Sequence, residues 1–453
     1  MVSIKLNPSL LLAGQSIFQD IASPQQASTE QYNIIKYLGG SAPYRQRTGY
    51  GISTEIPEDC SLEQVHLLSR HGERYPSKRD GVFFESVMKV FDEYPHKFQG
   101  DLAFLNDYKY FVLDKDYYEK ETDANNSQGP YSGTSNEFRH GQHFREKYGS
   151  LYDKDLVVFT TNSGRVHKSA QYFTQGFLGD ASKAKFVIID EDGKMGANSL
   201  TPRYSCPKLD ENVNRDKINR FDKAYLQDIL TRLQKANPEL PLSTQQVQSL
   251  FLWCAFEINV RGTSPFCNLF TNEEFIKDGY RNDLYNYNSI GEGNPYSKIV
   301  GSPLVEAFIK LLKDDNKKIW LSFTHDSDME IFLTSLGLIV PPSDLPTDHV
   351  PFPNMYNAAE LFPQAARVYT EKLKCGQDHF VRFIMNDAVV PYPNCSDGPG
   401  FSCEMNKLFD VINKRLEGVN FAEQCNVPDN HPNQVSFYWD YKSKEYNAPL
   451  IDQ

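Results

Sequence analysis

Three short clusters carry residues whose chemistry converges on one kind of ligand: Arg70-His71-Gly72-Glu73-Arg74-Tyr75-Pro76, then Arg165, then His325-Asp326. Arg70 and Arg74 flank a histidine, and a guanidinium presents forked N–H donors that match phosphate oxygens. The glycine beside His71 lets the backbone come close to a bound group. The implied ligand is a phosphate.

These clusters need elements that deliver them to one place. Gln64 to Ser69 reads as a buried strand running straight into Arg70. Leu156 to Thr161 reads as a second strand, followed by an Asn162-Ser163-Gly164 turn and a helix with Val166, Ala170, Phe173 and Phe177 on one face, ended by Gly179. A helix from Pro303 to Lys313 precedes a third strand, Ile319 to Phe323. After Thr324-His325-Asp326, the pattern Ser327-x-x-Glu330 reads as a capping box that opens the next helix. Ala366 to Thr370 and Phe380 to Met385 are further strand candidates. Strands alternating with helices imply an α/β fold: a mixed, mainly parallel sheet flanked by helices. In open α/β sheets ligands bind outside the carboxyl ends of strands, and all three clusters fall there.

Two stretches differ in character, and residues 77–150 and 205–295 are expected to form a mainly helical cap inserted into the sheet domain. That domain then comprises 52–76, 151–204 and 296–453. The second stretch shows helical patterns at Lys223 to Ala236 and Thr244 to Phe256. Residues 1–51 read as an N-terminal arm, and its part from Gln25 to Gly51 has the reach to touch a neighbouring subunit in a homo-oligomer.

Composition sets outer bounds. The chain of 453 residues has 47 Lys plus Arg against 59 Asp plus Glu, a formal charge of −12. A nucleic-acid partner is disfavoured, because phosphate-backbone affinity needs clustered positive charge. The apolar runs stay far below the roughly 18 residues that cross a bilayer, so no membrane partner is expected. Eight cysteines without a C-x-x-C pair or a His at zinc-ligand spacing beside them favour disulfides over buried free thiols, and spacing suggests only the local bridges Cys254–Cys267 and Cys395–Cys403. Oxidised cysteines imply a secreted protein, extracellular or in the cell wall. Residues 1–16 read as a weak signal peptide. Asn125-Asn126-Ser127 and Asn394-Cys395-Ser396 are glycosylation sequons.

R-H-G-E-R-Y-P together with T-H-D resembles the histidine acid phosphatase family. The stretches L-G-G-S-A-P-Y, W-L-S-F-T-H-D and N-D-A-V-V-P resemble the secreted acid phosphatases and phytases of yeasts, so the likeness spans nearly the whole chain. R-H-G alone also recurs in phosphoglycerate mutases; the seven-residue block with a later Arg and a distant H-D is far more specific. Position by position, the resemblance implies His71 as a nucleophile forming a phosphohistidine. It implies Arg70, Arg74, Arg165 and His325 as phosphate-binding residues, and Asp326 as proton donor to the leaving alcohol. It further implies the bridges Cys60–Cys375, Cys206–Cys425, Cys254–Cys267 and Cys395–Cys403, and a phosphoglycerate mutase-like fold with a helical cap.

The chemistry is consistent with those residue types. An imidazole attacks phosphorus only from an unprotonated nitrogen, and neighbouring arginines disfavour imidazolium, so His71 can stay neutral in mild acid. Arginines supply the charge stabilisation, and neither metal nor cofactor is required. Asp326 must be protonated when the ester bond breaks, through burial, bound phosphate or an acidic medium. The expected activity is an acid phosphomonoesterase with phytate as favoured substrate. A broad acid phosphatase, a mutase-like phosphotransferase and an inactive phosphate-binding relative are the alternatives.

Simpler roles are assigned to the remaining candidates. His66 is expected in the core, and His140, His143 and His167 on the surface. Glu73 is expected as a structural or salt-bridge partner. Lys78, Arg79 and Asp80 fit either the mouth of the site or plain solvent exposure.

Overall fold

The computed structural model describes residues 33–451, so the proposed signal peptide lies outside the described residues. Eight strands form one sheet in the order β3-β2-β4-β1-β5-β6-β7, with β8 beside β6. They are β1 (Cys60–Arg70), β2 (Val157–Thr161), β3 (Lys185–Ile189), β4 (Ile319–Thr324), β5 (Arg367–Cys375), β6 (Asp378–Met385), β7 (Ala388–Val390) and β8 (Cys403–Glu404). β3, β2, β4 and β1 run parallel, and β5 turns back antiparallel to β1. The sheet is mixed, with β6 rejoining the direction of the parallel strands through its antiparallel pairing to β5.

Alternation along the strands assigns the two faces. Val158, Ile319, Leu321, Phe323, Val65 and Leu67 point to one core. Val157, Phe159, Trp320 and Val368 point to the other. The first face is covered by the helices Gly133–Tyr148 and Gly164–Leu178, which contribute Phe144, Tyr148, Phe173 and Phe177. These two helices approach so closely that a Cβ on Gly141 or Gly176 would meet a carbonyl oxygen of the other helix at 2.0 Å. The second face is covered by Ser297–Leu312 and Asp326–Leu336.

Three sequence expectations change here. Gly133–Tyr148 was expected in the cap, yet it packs on the sheet, because its Phe144 and Tyr148 complete the core beneath β1 and β4. The helix expected to begin at Pro303 begins at Ser297. Proline removes one donor to the carbonyl of Ile299, and the Ser302 hydroxyl donates to that carbonyl instead, at 2.8 Å. The Ser327-x-x-Glu330 capping box does not form. The helix starts at Asp326 with His325 as N-cap, which places Ser327 inside it and turns Glu330 into the core, where it accepts from the Tyr356 hydroxyl.

A separate apolar cluster forms the cap. It joins Phe84, Val87 and Phe91 of Lys78–Asp92 to Ile229 and Leu233 of Ala224–Ala236, and to Leu250, Trp253 and Phe256 of Thr244–Arg261. The helix Asn272–Ser289 ties cap to sheet: Phe275 lies in the cap core, whereas Tyr280, Leu284 and Tyr287 lie in the sheet core. Ile34, Ile35, Leu38 and Ala42 of the arm are buried in the cap core of their own chain. All eight cysteines pair, as Cys60–Cys375, Cys206–Cys425, Cys254–Cys267 and Cys395–Cys403. Cys60–Cys375 staples a register pair of β1 and β5, strands whose ends are 315 residues apart in the chain.

Candidate active site

Parallel packing of β3, β2, β4 and β1 brings their carboxyl ends to one edge of the sheet. Arg70 ends β1 opposite Thr324, so His71 and His325, the next residue on each strand, emerge side by side. Their rings meet edge to face at 5.8 Å. Arg165 comes from the first turn of Gly164–Leu178, just after β2. The fold thus brings Arg70, His71, Arg74, Arg165, His325 and Asp326 together.

His71 is buried, and its Nδ1 lies 2.8 Å from the carbonyl of Gly72. A carbonyl can only accept, so Nδ1 carries the proton and Nε2 keeps its lone pair. Burial, followed by the charges of Arg70, Arg165 and Arg74 and the nearby His325, holds the imidazole well below its ordinary range. Gly72 is required by close approach: a Cβ there would lie 2.4 Å from Glu121 Oε1. Its N–H donates to Ser169 Oγ at 2.8 Å, and Ser169 donates in turn to Glu121 at 2.7 Å.

The arginines are anchored by some donors and leave others unused. Arg70 donates to the carbonyls of Gly40 and Phe362, and forms an ion pair with Asp326 at 2.8 Å. Arg74 donates to the carbonyl of Tyr75, and Arg165 pairs with Glu119 at 3.2 Å. Nε of Arg70, Arg74 and Arg165 is buried without a hydrogen-bond partner in each case. Burial and the mutual repulsion with Arg165 and Arg70 lower Arg74 to about 10. Three cations packed this way favour an anion between them.

Burial alone would raise the Asp326 carboxyl, but Arg70, with His325 and Arg74, brings it down to about 2. In the ligand-free protein Asp326 is therefore a carboxylate. His325 is buried, and its Nε2 lies 2.7 Å from Glu191 Oε1. Glu191 and Arg203 are the site-edge residues that sequence reading missed. Glu191 follows the run Lys185-Phe186-Val187-Ile188-Ile189, and recognising that β-branched run as a fourth parallel strand would have flagged it. Arg203 donates through Nε to Asp328 at 3.0 Å, and its charge reaches His325.

The other candidates fall in varied places. Glu73 is fully buried, with Asn136 donating to both carboxylate oxygens and the Tyr44 N–H to one, so it is a structural anchor without an ion pair. Asp80 closes the N-terminus of its helix with Ser77, while Lys78 and Arg79 are exposed there. His66 is buried, with Nε2 at 2.9 Å from Gln64 Oε1, and His143 is exposed. His140 and His167 are buried, contrary to expectation. The Tyr369 hydroxyl and Glu137 satisfy the His140 ring in the core beneath β5, and His167 packs on Phe186.

One member of this region sets a pH dependence of stability. Burial pushes the Glu121 carboxyl up to about 8 although Ser169 donates to it. Between the unfolded value of about 4.3 and that higher value, the folded protein binds a proton that the unfolded chain has released. Its contribution is present in acid and lost as pH rises through the folded value. Glu121→Gln keeps an acceptor for Ser169 without a charge. Its thermal unfolding midpoint should match wild type near about pH 4 and exceed it increasingly toward about pH 9; a constant difference across that range would refute the assignment.

Comparison with known proteins places this geometry. A profile of the histidine phosphatase superfamily (branch 2) matches residues 61–386. A phytase of Candida albicans is 54% identical, with 99% of this chain and 100% of that protein covered. A repressible acid phosphatase of Saccharomyces cerevisiae is 41% identical, covering 99% and 98% respectively. The crystal structure of the phytase from D. castellii superposes with a TM-score of 0.92 at 49% identity, covering 97% of each chain. The chain belongs to the histidine phosphatase superfamily, branch 2.

Proposed function

We propose that the protein is an acid phosphomonoesterase that works through a phosphohistidine on His71, with phytate as its favoured substrate. The observation that carries the reading is the state of His71: Nδ1–H is held by Gly72, and Nε2 is unprotonated among guanidiniums whose Nε donors are unpartnered. In the first step Nε2 bonds to phosphorus and the bond from phosphorus to the alcohol oxygen breaks, Asp326 giving that oxygen its proton. In the second step water attacks the phosphohistidine, Asp326 takes the water proton, and phosphate leaves with His71 neutral again. Arg70, Arg74 and Arg165 hold the phosphoryl oxygens throughout and oppose the charge that develops on them.

Asp326 begins as a carboxylate, so its proton must come with substrate. A phosphate monoester has its second pKa near about 6, and below that it arrives as a monoanion still carrying a proton. Once it occupies the three arginines, Arg70 no longer holds Asp326 ionised, and the added negative charge favours the acid form. Activity is therefore expected to be greatest in acid and to decline as the substrate becomes a dianion.

Phytate is favoured by two supports. Relatives at 54% and 49% identity carry the name phytase. Near Arg203, whose charge reaches His325, three arginines share a strip with one carboxylate: Arg203 lies 3.8 Å from Glu211, and Glu211, with Arg79 and Arg215, acts on the half-exposed Tyr285. Such a strip suits a substrate bearing several phosphates. Rates of phosphate release at acid pH from phytate, glycerophosphate and nitrophenyl phosphate test this. A kcat/KM for phytate at least about tenfold above the others is expected; equal values would favour a broad acid phosphatase.

The four disulfides support an oxidising compartment, and we place the protein outside the cell or in its wall. Among the described residues no helix is long and apolar enough to cross a membrane. The sheet domain and cap are best divided near residue 132 rather than 150 in the first insertion, following the packing of Gly133–Tyr148.

A further inference from the structure

Glu191 stands at the carboxyl end of β3, one strand beyond the positions that sequence reading assigned to the site. Its placement is built from the neighbouring strand end. The Glu191 N–H donates to Asn162 Oδ1 at 3.0 Å, and Thr161 beside it helps hold its carboxylate ionised. The Glu191 and His325 side chains are only 11% and 5% exposed, and they meet at 2.7 Å. A carboxylate can only accept, so Nε2 of His325 carries a proton, and Nδ1 is the nitrogen left for a ligand.

We propose that Glu191 is a positioning residue for phosphoryl transfer: it fixes the His325 ring through Nε2–H and supplies the negative charge that lets Nδ1 be protonated and donate to a phosphoryl oxygen. The role rests on the phosphatase reading above. The charged and titratable groups around His325 divide into two sets. Arg165 and Arg203 oppose its protonation, Glu191 favours it, and burial opposes it overall in the ligand-free protein. His71 lies edge-on, and Asp326, paired with Arg70, follows His325 in the chain. Arg74 acts on both His71 and Asp326. A phosphoryl group adds negative charge to this set, so with Glu191 present His325 gains its second proton only when substrate is bound. Glu191 itself stays ionised: burial raises it, but the bond to His325 brings it to about 2. The same arrangement of a carboxylate behind an imidazole fixes ring orientation in other catalytic and metal sites.

The test compares Glu191→Gln, Glu191→Asp and His325→Asn with wild type, using nitrophenyl phosphate and inhibition by inorganic phosphate from about pH 3 to about pH 8. Glutamine preserves an acceptor for Nε2–H but removes the charge. The alkaline limb of kcat, which reports the substrate-bound enzyme, should move down by about one pH unit or more, and phosphate inhibition near about pH 6 should weaken about tenfold. Glu191→Asp keeps the charge and should restore the wild-type pH profile even if kcat falls. Adding Glu191→Gln to His325→Asn should cost nothing further. An unshifted profile with wild-type phosphate inhibition, or full additivity with His325→Asn, would overturn the role. A wild-type protein that releases phosphate from no ester would instead defeat the phosphatase reading itself.

Discussion

His71→Ala will abolish phosphate release from every ester, lowering kcat by about 10⁴-fold or more, while leaving the fold intact. The size of the loss follows from the route. Without Nε2 no covalent intermediate forms, and the arginines are left to bind phosphate without a group that attacks it. The fold should survive because the imidazole makes one hydrogen bond, to the adjacent Gly72 carbonyl, and that carbonyl can turn to water in the opened site. Burial beside Arg70, Arg165 and Arg74 also gives the ring little stabilising charge interaction to lose. Two measurements separate chemistry from folding. Quenching into alkaline denaturant during turnover should trap a phosphoprotein in wild type, stable in alkali and lost on acidification, and none in the variant, and the two thermal unfolding midpoints should lie within a few degrees. A variant with near-normal turnover, or a phosphoprotein that persists in it, would remove the nucleophile assignment.

The legible part of this site was the part written next to strands. Arg70-His71 and His325-Asp326 follow short apolar runs, so reading those runs as strands placed them at strand ends, and the parallel packing of β1 and β4 did the rest. Contributions from elsewhere were not legible. Gly40 reaches Arg70 from the arm through a carbonyl, which any residue type would supply, so no side-chain pattern marks it. Glu191 sits in an ordinary acidic turn, Asp190-Glu191-Asp192, and only its pairing with His325 distinguishes it from two neighbouring carboxylates. The cap boundary was misplaced for a related reason. Gly133–Tyr148 is rich in polar residues, and its core contacts depend on Phe144 and Tyr148 meeting a sheet far away in sequence. The failed capping box shows the same limit: Ser327 and Glu330 have the right spacing, but a buried partner for Glu330, Tyr356, overrides the local preference.

Asp326→Asn should produce a loss that depends on what is leaving. For glycerophosphate and other alkyl esters, the departing alkoxide cannot leave without a proton, and kcat/KM should fall by about 10²- to 10⁴-fold. For nitrophenyl phosphate the leaving group is already a stable anion, so the first step should be largely spared. The second step is not, because asparagine cannot accept the proton of the attacking water. Good leaving groups should therefore give a burst of nitrophenol followed by slow turnover, with the phosphohistidine accumulating on His71. The substitution also removes the negative partner of Arg70, 2.8 Å away in the ligand-free protein. That carboxylate competes with phosphate for the guanidinium, so inorganic phosphate should inhibit the variant more strongly at neutral pH, and the difference should vanish as pH falls toward about 2, where wild-type Asp326 is itself protonated. The combination is diagnostic, because a merely structural carboxylate would lower both steps for all esters alike. Equal losses for glycerophosphate and nitrophenyl phosphate, without a burst, would take the proton-transfer role away from Asp326 and leave it as a clamp on Arg70.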